Sequence, residues 1–123
     1  MRRLSNRFQW IEYKGNEILS IDFSNLYAEN FTNAIKKLRS LVENTEKENI
    51  YALLDTSGSY INAEVFKELR KTAEGVNKKI KKTAITGSTN IQQIFIKILR
   101  KLTHIDFELF DDEEDAKEWL IDE

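Results

Sequence analysis

Apolar residues recur along this chain with two alternating periods. Residues 8–13 and 17–23 flank Gly15-Asn16, a turn pair of hairpin type. In the second run Leu19, Ile21 and Phe23 alternate with Ile18, Ser20 and Asp22, as in a strand with one apolar and one mixed face. Residues 29–46 then change to helical spacing, with Phe31, Ala34, Ile35, Leu38, Leu41 and Val42 at three- and four-residue steps. Ile50 to Leu54 is a short unbroken apolar run, which suits a central strand covered on both faces. Residues 62–78 are helical again, with Val65, Phe66, Leu69, Ala73 and Val76 on one stripe. Lys82 to Thr86 predicts a strand closed by Gly87, residues 89–102 a third helix, and Ile105 to Phe110 a last strand. The acidic run that follows opens a final helix through Trp119 and Leu120.

The order β-β-α-β-α-β-α-β-α predicts an α/β fold. Its sheet is mostly parallel with an antiparallel first strand, and helices pack on it. At 123 residues the chain reads as a single domain over residues 1–123, and 41% apolar content supports a real core. There is no cysteine and one histidine, His104, so disulfides, thiolate metal sites and His-pair metal motifs are excluded. No cofactor is expected. Met1-Arg2-Arg3 is not followed by the apolar run of a signal peptide, and no window suits a membrane span, so the expected compartment is the cytosol.

The net charge of -2 hides an uneven distribution. Residues 111–123 hold eight acids against Lys117, a balance of -7, and the rest of the chain carries +5. Acids belong in a first helical turn, where they meet the positive end of the helix dipole. Lys78, Lys79, Lys81 and Lys82 form a basic cluster with no aromatic residue interleaved. With a pI near 5.6, the cluster reads as a solvated helix end and not as a nucleic-acid surface.

Open α/β sheets bind ligands beyond the carboxyl ends of their strands. Two loops qualify here, Asp55-Thr56-Ser57-Gly58-Ser59 and Thr86-Gly87-Ser88-Thr89-Asn90. Both carry glycine and hydroxyls and precede a helix, so a shared phosphate or carboxylate site is one reading. The structural alternative is that Ser88 or Thr89 caps the helix, with Gln92 completing a capping box from Thr89. Asp55 reads as a general base, a magnesium ligand or, more simply, an acceptor for its own loop's N–H groups. His104 suits the negative end of the third helix's dipole. In that helix Ile91, Ile94, Phe95, Ile98 and Leu102 make one face, with Leu99 at its margin and Ile96 well off it. Extra apolar residues beside Lys97, Arg100 and Lys101 suggest either a partner-facing edge or a deeply buried helix.

Several segments together resemble the STAS domain, and more closely its SpoIIAA-like branch. They are Lys14-Gly15-Asn16-Glu17-Ile18-Leu19 with Asp22-Phe23, Leu53-Leu54-Asp55-Thr56-Ser57-Gly58, Lys82-Thr83-Ala84-Ile85-Thr86-Gly87, and Phe110-Asp111 leading to Ala116 and Trp119-Leu120. The resemblance spans about residues 8–121 and implies a non-enzymatic interaction or regulatory domain. It is similar in fold to CRAL-TRIO lipid-transfer domains, which implies a small apolar or anionic ligand as the alternative. Anti-sigma factor antagonists carry Asp-Ser-Ser-Gly at the start of the second helix, where a serine is phosphorylated. The matching position here is Ala63-Glu64-Val65-Phe66, which has no hydroxyl.

The expectation is therefore a cytosolic domain that binds a protein partner without a phosphoserine switch. The contact would use the 55–62 loop, Glu64 at the start of the second helix, and Ile96, Leu99 and Arg100 at the edge of the third. The rival is an anion or lipid carrier using the two loops, and a homodimer is compatible with both. A hydrolase built on Asp55 lacks a visible base and nucleophile pair.

Overall fold

The computed structural model describes residues 6–122. Met1-Arg2-Arg3, Glu123 and the side chain of Ile91 lie outside the described residues. The elements run β1 (Phe8–Tyr13), β2 (Asn16–Asp22), α1 (Ala28–Asn44), β3 (Ile50–Asp55), α2 (Ala63–Val76), β4 (Ile80–Thr86), α3 (Asn90–Leu102), β5 (Asp106–Phe110) and α4 (Glu113–Ile121). This is the predicted order.

The hairpin turn sits one residue earlier than Gly15-Asn16. Tyr13 pairs with Asn16, which leaves Lys14 and Gly15 as the loop, with φ of 48° and 81°. Positive φ at both central positions is the mark of the turn whose twist matches a hairpin. Lys14 adopts it at some cost, and its ammonium bonds Glu118 across the molecule.

The five strands lie in chain order, β1-β2-β3-β4-β5, with β1 antiparallel to β2 and the other pairs parallel. Each crossover steps one strand in the same direction. With right-handed connections, the three crossover helices must share one face of the sheet. The core agrees. Leu19, Ile21, Ala52, Ile85 and Phe107 meet Phe31, Ile35, Val65, Val76, Ile96 and Leu99 in one cluster. On the opposite face, Ile18, Leu53 and Ala84 meet Ala116 and Leu120 of α4. The unbroken apolar run of β3 follows from this double covering.

The basic cluster has a different role from the one its composition suggests. Lys79 Nζ donates to the carbonyls of Val42, Glu43 and Thr45 at 3.1, 3.1 and 2.7 Å, closing the end of α1. Lys82 Nζ donates to the carbonyls of Trp119 and Asp122 at 3.0 and 2.7 Å, closing the end of α4, and lies over the Trp119 ring. Two of the four lysines thus neutralise the negative ends of two helices on opposite faces. Lys78 and Lys81 are exposed. Asp112 caps α4 by accepting from the Glu114 N–H at 2.8 Å, with Glu113, Glu114 and Asp115 in the first turn.

Candidate functional site

The carboxyl ends of β2, β3 and β4 are level. Asp22 is the register partner of Asp55, and Asp55 of Thr86. Each strand end therefore opens its loop at the same height. The first two loops repeat one device: Asp22 Oδ1 accepts from the Ser24 N–H and Oγ–H at 2.9 and 2.5 Å, and Asp55 Oδ1 from those of Ser57 at 2.9 and 2.6 Å. A strand-end aspartate followed two residues later by serine folds the chain into an Asx turn. Asp55 thus serves its own loop, the simplest of the roles open to it. Arg7 Nη1 ties the first loop by donating to the carbonyls of Asp22 and Ser24, both at 3.0 Å.

Backbone bonds lash the loops together. The N–H groups of Phe23 and Asn25 donate to the carbonyls of Asp55 and Ser57, each at 2.8 Å, and Thr56 N–H donates to Thr86 O at 3.0 Å. Two glycines make this close approach feasible. At Gly87 (φ 75°) a Cβ would fall 2.8 Å from Ser57 N and 2.9 Å from Ser57 Cα, and at Gly58 (φ 68°) it would run into the Asn25 side chain. Gly87 is therefore a structural contact between the two loops.

Beneath the rim, Gln92 joins the two loops named from the sequence. It is buried, at 3% exposure. Its Nε2 donates to Ser59 O at 2.9 Å and Ser59 Oγ at 3.1 Å, and its Oε1 accepts from Thr89 N–H at 3.0 Å. Thr89 Oγ1 in turn accepts from Gln92 N–H at 3.2 Å, completing the capping box. Thr56 Oγ1 donates to Thr86 O at 3.0 Å and lies 3.3 Å from Ser88 Oγ. Ser59 Oγ donates to Thr56 O at 2.7 Å. Thr56 and Ser59 are buried, whereas Ser57, Gly58, Gly87, Thr89 and Asn90 are exposed. The start of α2 is capped as well, by Asn62 Oδ1 accepting from Val65 N–H at 2.8 Å. The hydroxyls that suggested an anion cradle are therefore engaged within the protein, with backbone groups, with Asp55 or, for Thr56 and Ser88, with each other.

The partner edge assigned to α3 needs correction. Ile96 and Leu99 are core residues, at 6% and 7% exposure, and among the described side chains of the helix the exposed apolar ones are Ile94, Ile98 and Leu102. The helix is rotated from the face its hydrophobic pattern predicts, because polar Gln92 points inward to bond the loops. Hydropathy cannot place a buried glutamine on the core face. Arg100 is exposed but engaged, its Nε donating to Phe107 O at 2.9 Å. Glu64 is exposed in the first turn of α2. His104 is exposed, and its backbone N–H donates to Asn77 Oδ1 at 2.6 Å.

Two residues that the sequence pattern passed over stand out at the rim. Tyr27 and Tyr60 are each 64% exposed. Tyr60 N–H donates to Leu26 O at 2.9 Å, so the two tyrosines flank one bond between loops. Tyr27 also lies between two left-handed residues, Asn25 (φ 57°) and Ala28 (φ 51°), and starts α1 without a side-chain cap. The available signal was an aromatic residue in a loop, outside every periodic stripe.

Among the described residues, no group of three or more His, Cys, Asp or Glu side chains could hold a metal ion, and no helix is long and apolar enough to cross a membrane. A family model described as SpoIIAA-like matches residues 18–121. A crystal structure of an uncharacterized protein of the DUF3478 family from Shewanella loihica PV-4, with a SpoIIAA-like fold, superposes with a TM-score of 0.71 at 21% identity. The match covers 92% of this chain and 91% of that one. No curated protein is significantly similar in sequence.

Proposed function

The chain belongs to the SpoIIAA-like family, and we propose that it works as a non-enzymatic, cytoplasmic regulatory domain that binds a protein partner through the carboxyl-end rim of its sheet. The carrying observation is the pair Tyr27 and Tyr60, exposed on loops that are themselves rigidly cross-bonded. Exposed tyrosines on a stiff base are favoured anchors for a protein interface, because they supply large contact area with little ordering cost. Glu64 gives the neighbouring helix start a fixed negative charge. No hydroxyl stands at 63–66, so the serine position that gates anti-sigma factor antagonists is missing here. The rival placement, an anion held by the two loops, is disfavoured by hydroxyls and helix starts already engaged within the protein.

A photo-crosslinking residue at position 60, then at 27, tests this in the cells of origin. One heterologous protein should be captured from both positions and not from Lys47, at the opposite end of the sheet. In pull-downs, Tyr27→Ala with Tyr60→Ala should weaken that partner by about 30-fold or more, the equivalent of one interface hot spot. Equal capture from Lys47, or unchanged affinity in the double variant, would refute the rim as the contact.

A further inference from the structure

We propose that the outer face of α3 docks an amphipathic helix of a protein partner, one that carries acidic residues beside its apolar stripe. Among the described residues, the exposed large apolar side chains are Tyr27 and Tyr60 at the rim and Ile94, Ile98 and Leu102 on α3. The three on α3 are 59%, 40% and 43% exposed. They stand at four-residue steps along the helix, so they form one ridge about 12 Å long. Single apolar residues scattered over a surface need no explanation, but three on one ridge do. The fold does not use them, because Ile96 and Leu99 already fill the core side of the helix.

The chemistry beside the ridge selects its occupant. Lys97 and Lys101 form a second ridge parallel to the first, again at a four-residue step. Both are exposed and make no ion pair among the described residues, whereas Arg100 is already held by Glu108 at 3.6 Å. On the other flank, half-buried Phe95 meets Phe66 of α2 at 4.8 Å between ring centroids, which extends the apolar surface toward α2. Ridges at this spacing receive the ridges of another helix in the grooves between them. A helix seated here needs apolar residues toward Ile94, Ile98 and Leu102, and carboxylates toward Lys97 and Lys101.

Two other occupants fit less well. A second copy of this chain, paired antiparallel through α3, would set Lys97 and Lys101 against their own copies, and like charges across an interface are costly. A bilayer gains little: the ridge offers roughly twelve side-chain carbons, about half of them exposed, less than the one myristoyl chain that binds membranes only marginally. The face is distinct from the tyrosine rim, and its occupancy is independent of the rim contact.

Two designed helical peptides of about 18 residues, long enough to pass the whole ridge, test this. Both place leucine at three- and four-residue steps; one has glutamate along the flanks and the other lysine at the same positions. In NMR titrations of the methyl-labelled full chain, the acidic peptide should give saturable shifts at Ile94, Ile98 and Leu102 and none at Ile18 or Leu120. The lysine peptide should bind at least about 10-fold more weakly. Lys97→Glu with Lys101→Glu should reverse that preference, which a damaged fold would not do. Ile94→Asp should weaken the acidic peptide by about 10-fold or more without changing Tm. A photo-crosslinking residue in place of Ile98, in the cells of origin, should join a protein segment whose apolar helical stripe is flanked by Asp or Glu. No saturable binding of the acidic peptide, equal binding of both peptides, or an unchanged preference in the double lysine variant would overturn the proposal. So would a crosslink to lipid or to a second copy of the chain, or sedimentation with phosphatidylglycerol vesicles that Ile94→Asp abolishes.

Discussion

The two faces of the sheet are built to different standards. The α4 face is small and closed: Ile18, Ala116 and Leu120 are each 0% exposed, and polar contacts tie its border. Tyr13 Oη donates to Glu118 Oε1 at 2.7 Å, Lys14 joins the same carboxylate, and Lys82 grips the helix end. The three-helix face is larger and less complete, with an apolar cavity of about 90 Å³ and, packed out of its reach, the unbonded hydroxyl of Thr72. The difference teaches that stability and adaptability are divided between the faces, with the small one pinning the sheet and the large one retaining room for change.

The most severe way to break this contrast is Leu120→Ala. On the filled face nothing can collapse into the space, so the variant should lose about 2–5 kcal/mol in urea unfolding. Thr72→Val asks the reverse question of the other face. Both residues are β-branched, so helix propensity hardly changes, and removing an unsatisfied buried hydroxyl should raise stability by about 1 kcal/mol. A loss of stability would mean that the hydroxyl is satisfied in solution. The smallest effect concerns the border of the α4 face. Hydrogen bonds from Lys14 first, and then from Tyr13, hold the Glu118 carboxyl below its ordinary value of 4.5. Its contribution is therefore present above about pH 4.5 and lost as pH falls through the lowered value. Glu118→Gln should remove a small part of the acid-limb slope in unfolding measured from pH 6 to 3, an effect kept small by solvent screening.

Much of the fold was legible in the sequence because its elements obey local rules. The stripe of α1 reappears as buried Phe31, Ala34, Ile35, Leu38 and Val42. The apolar run of β3 correctly implied covering on both sides, and the Thr89–Gln92 capping box formed as its spacing predicts. The rest depended on partners distant in the chain. Nothing near Lys79 or Lys82 announces the carbonyls of α1 and α4 that they reach. The inward turn of α3 follows from Gln92 serving Ser59, 33 residues away. The adjacency of Asp22 and Asp55 needed the strand register. At the rim, Tyr27 and Tyr60 belong to no stripe, so periodicity had no hold on them.

Strand order identical to chain order also bears on how the molecule is made. Each parallel strand docks beside the one synthesised just before it, so the sheet can grow outward as the chain leaves the ribosome, with only short closures at each step. The crossover helices arrive in step and cover their face as it forms. The other face has no such escort. Ile18, Leu53 and Ala84 stay bare until α4, the last element, folds back over β3 and β4. During that interval the nascent chain presents an apolar sheet surface, and its dependence on chaperones should be concentrated there.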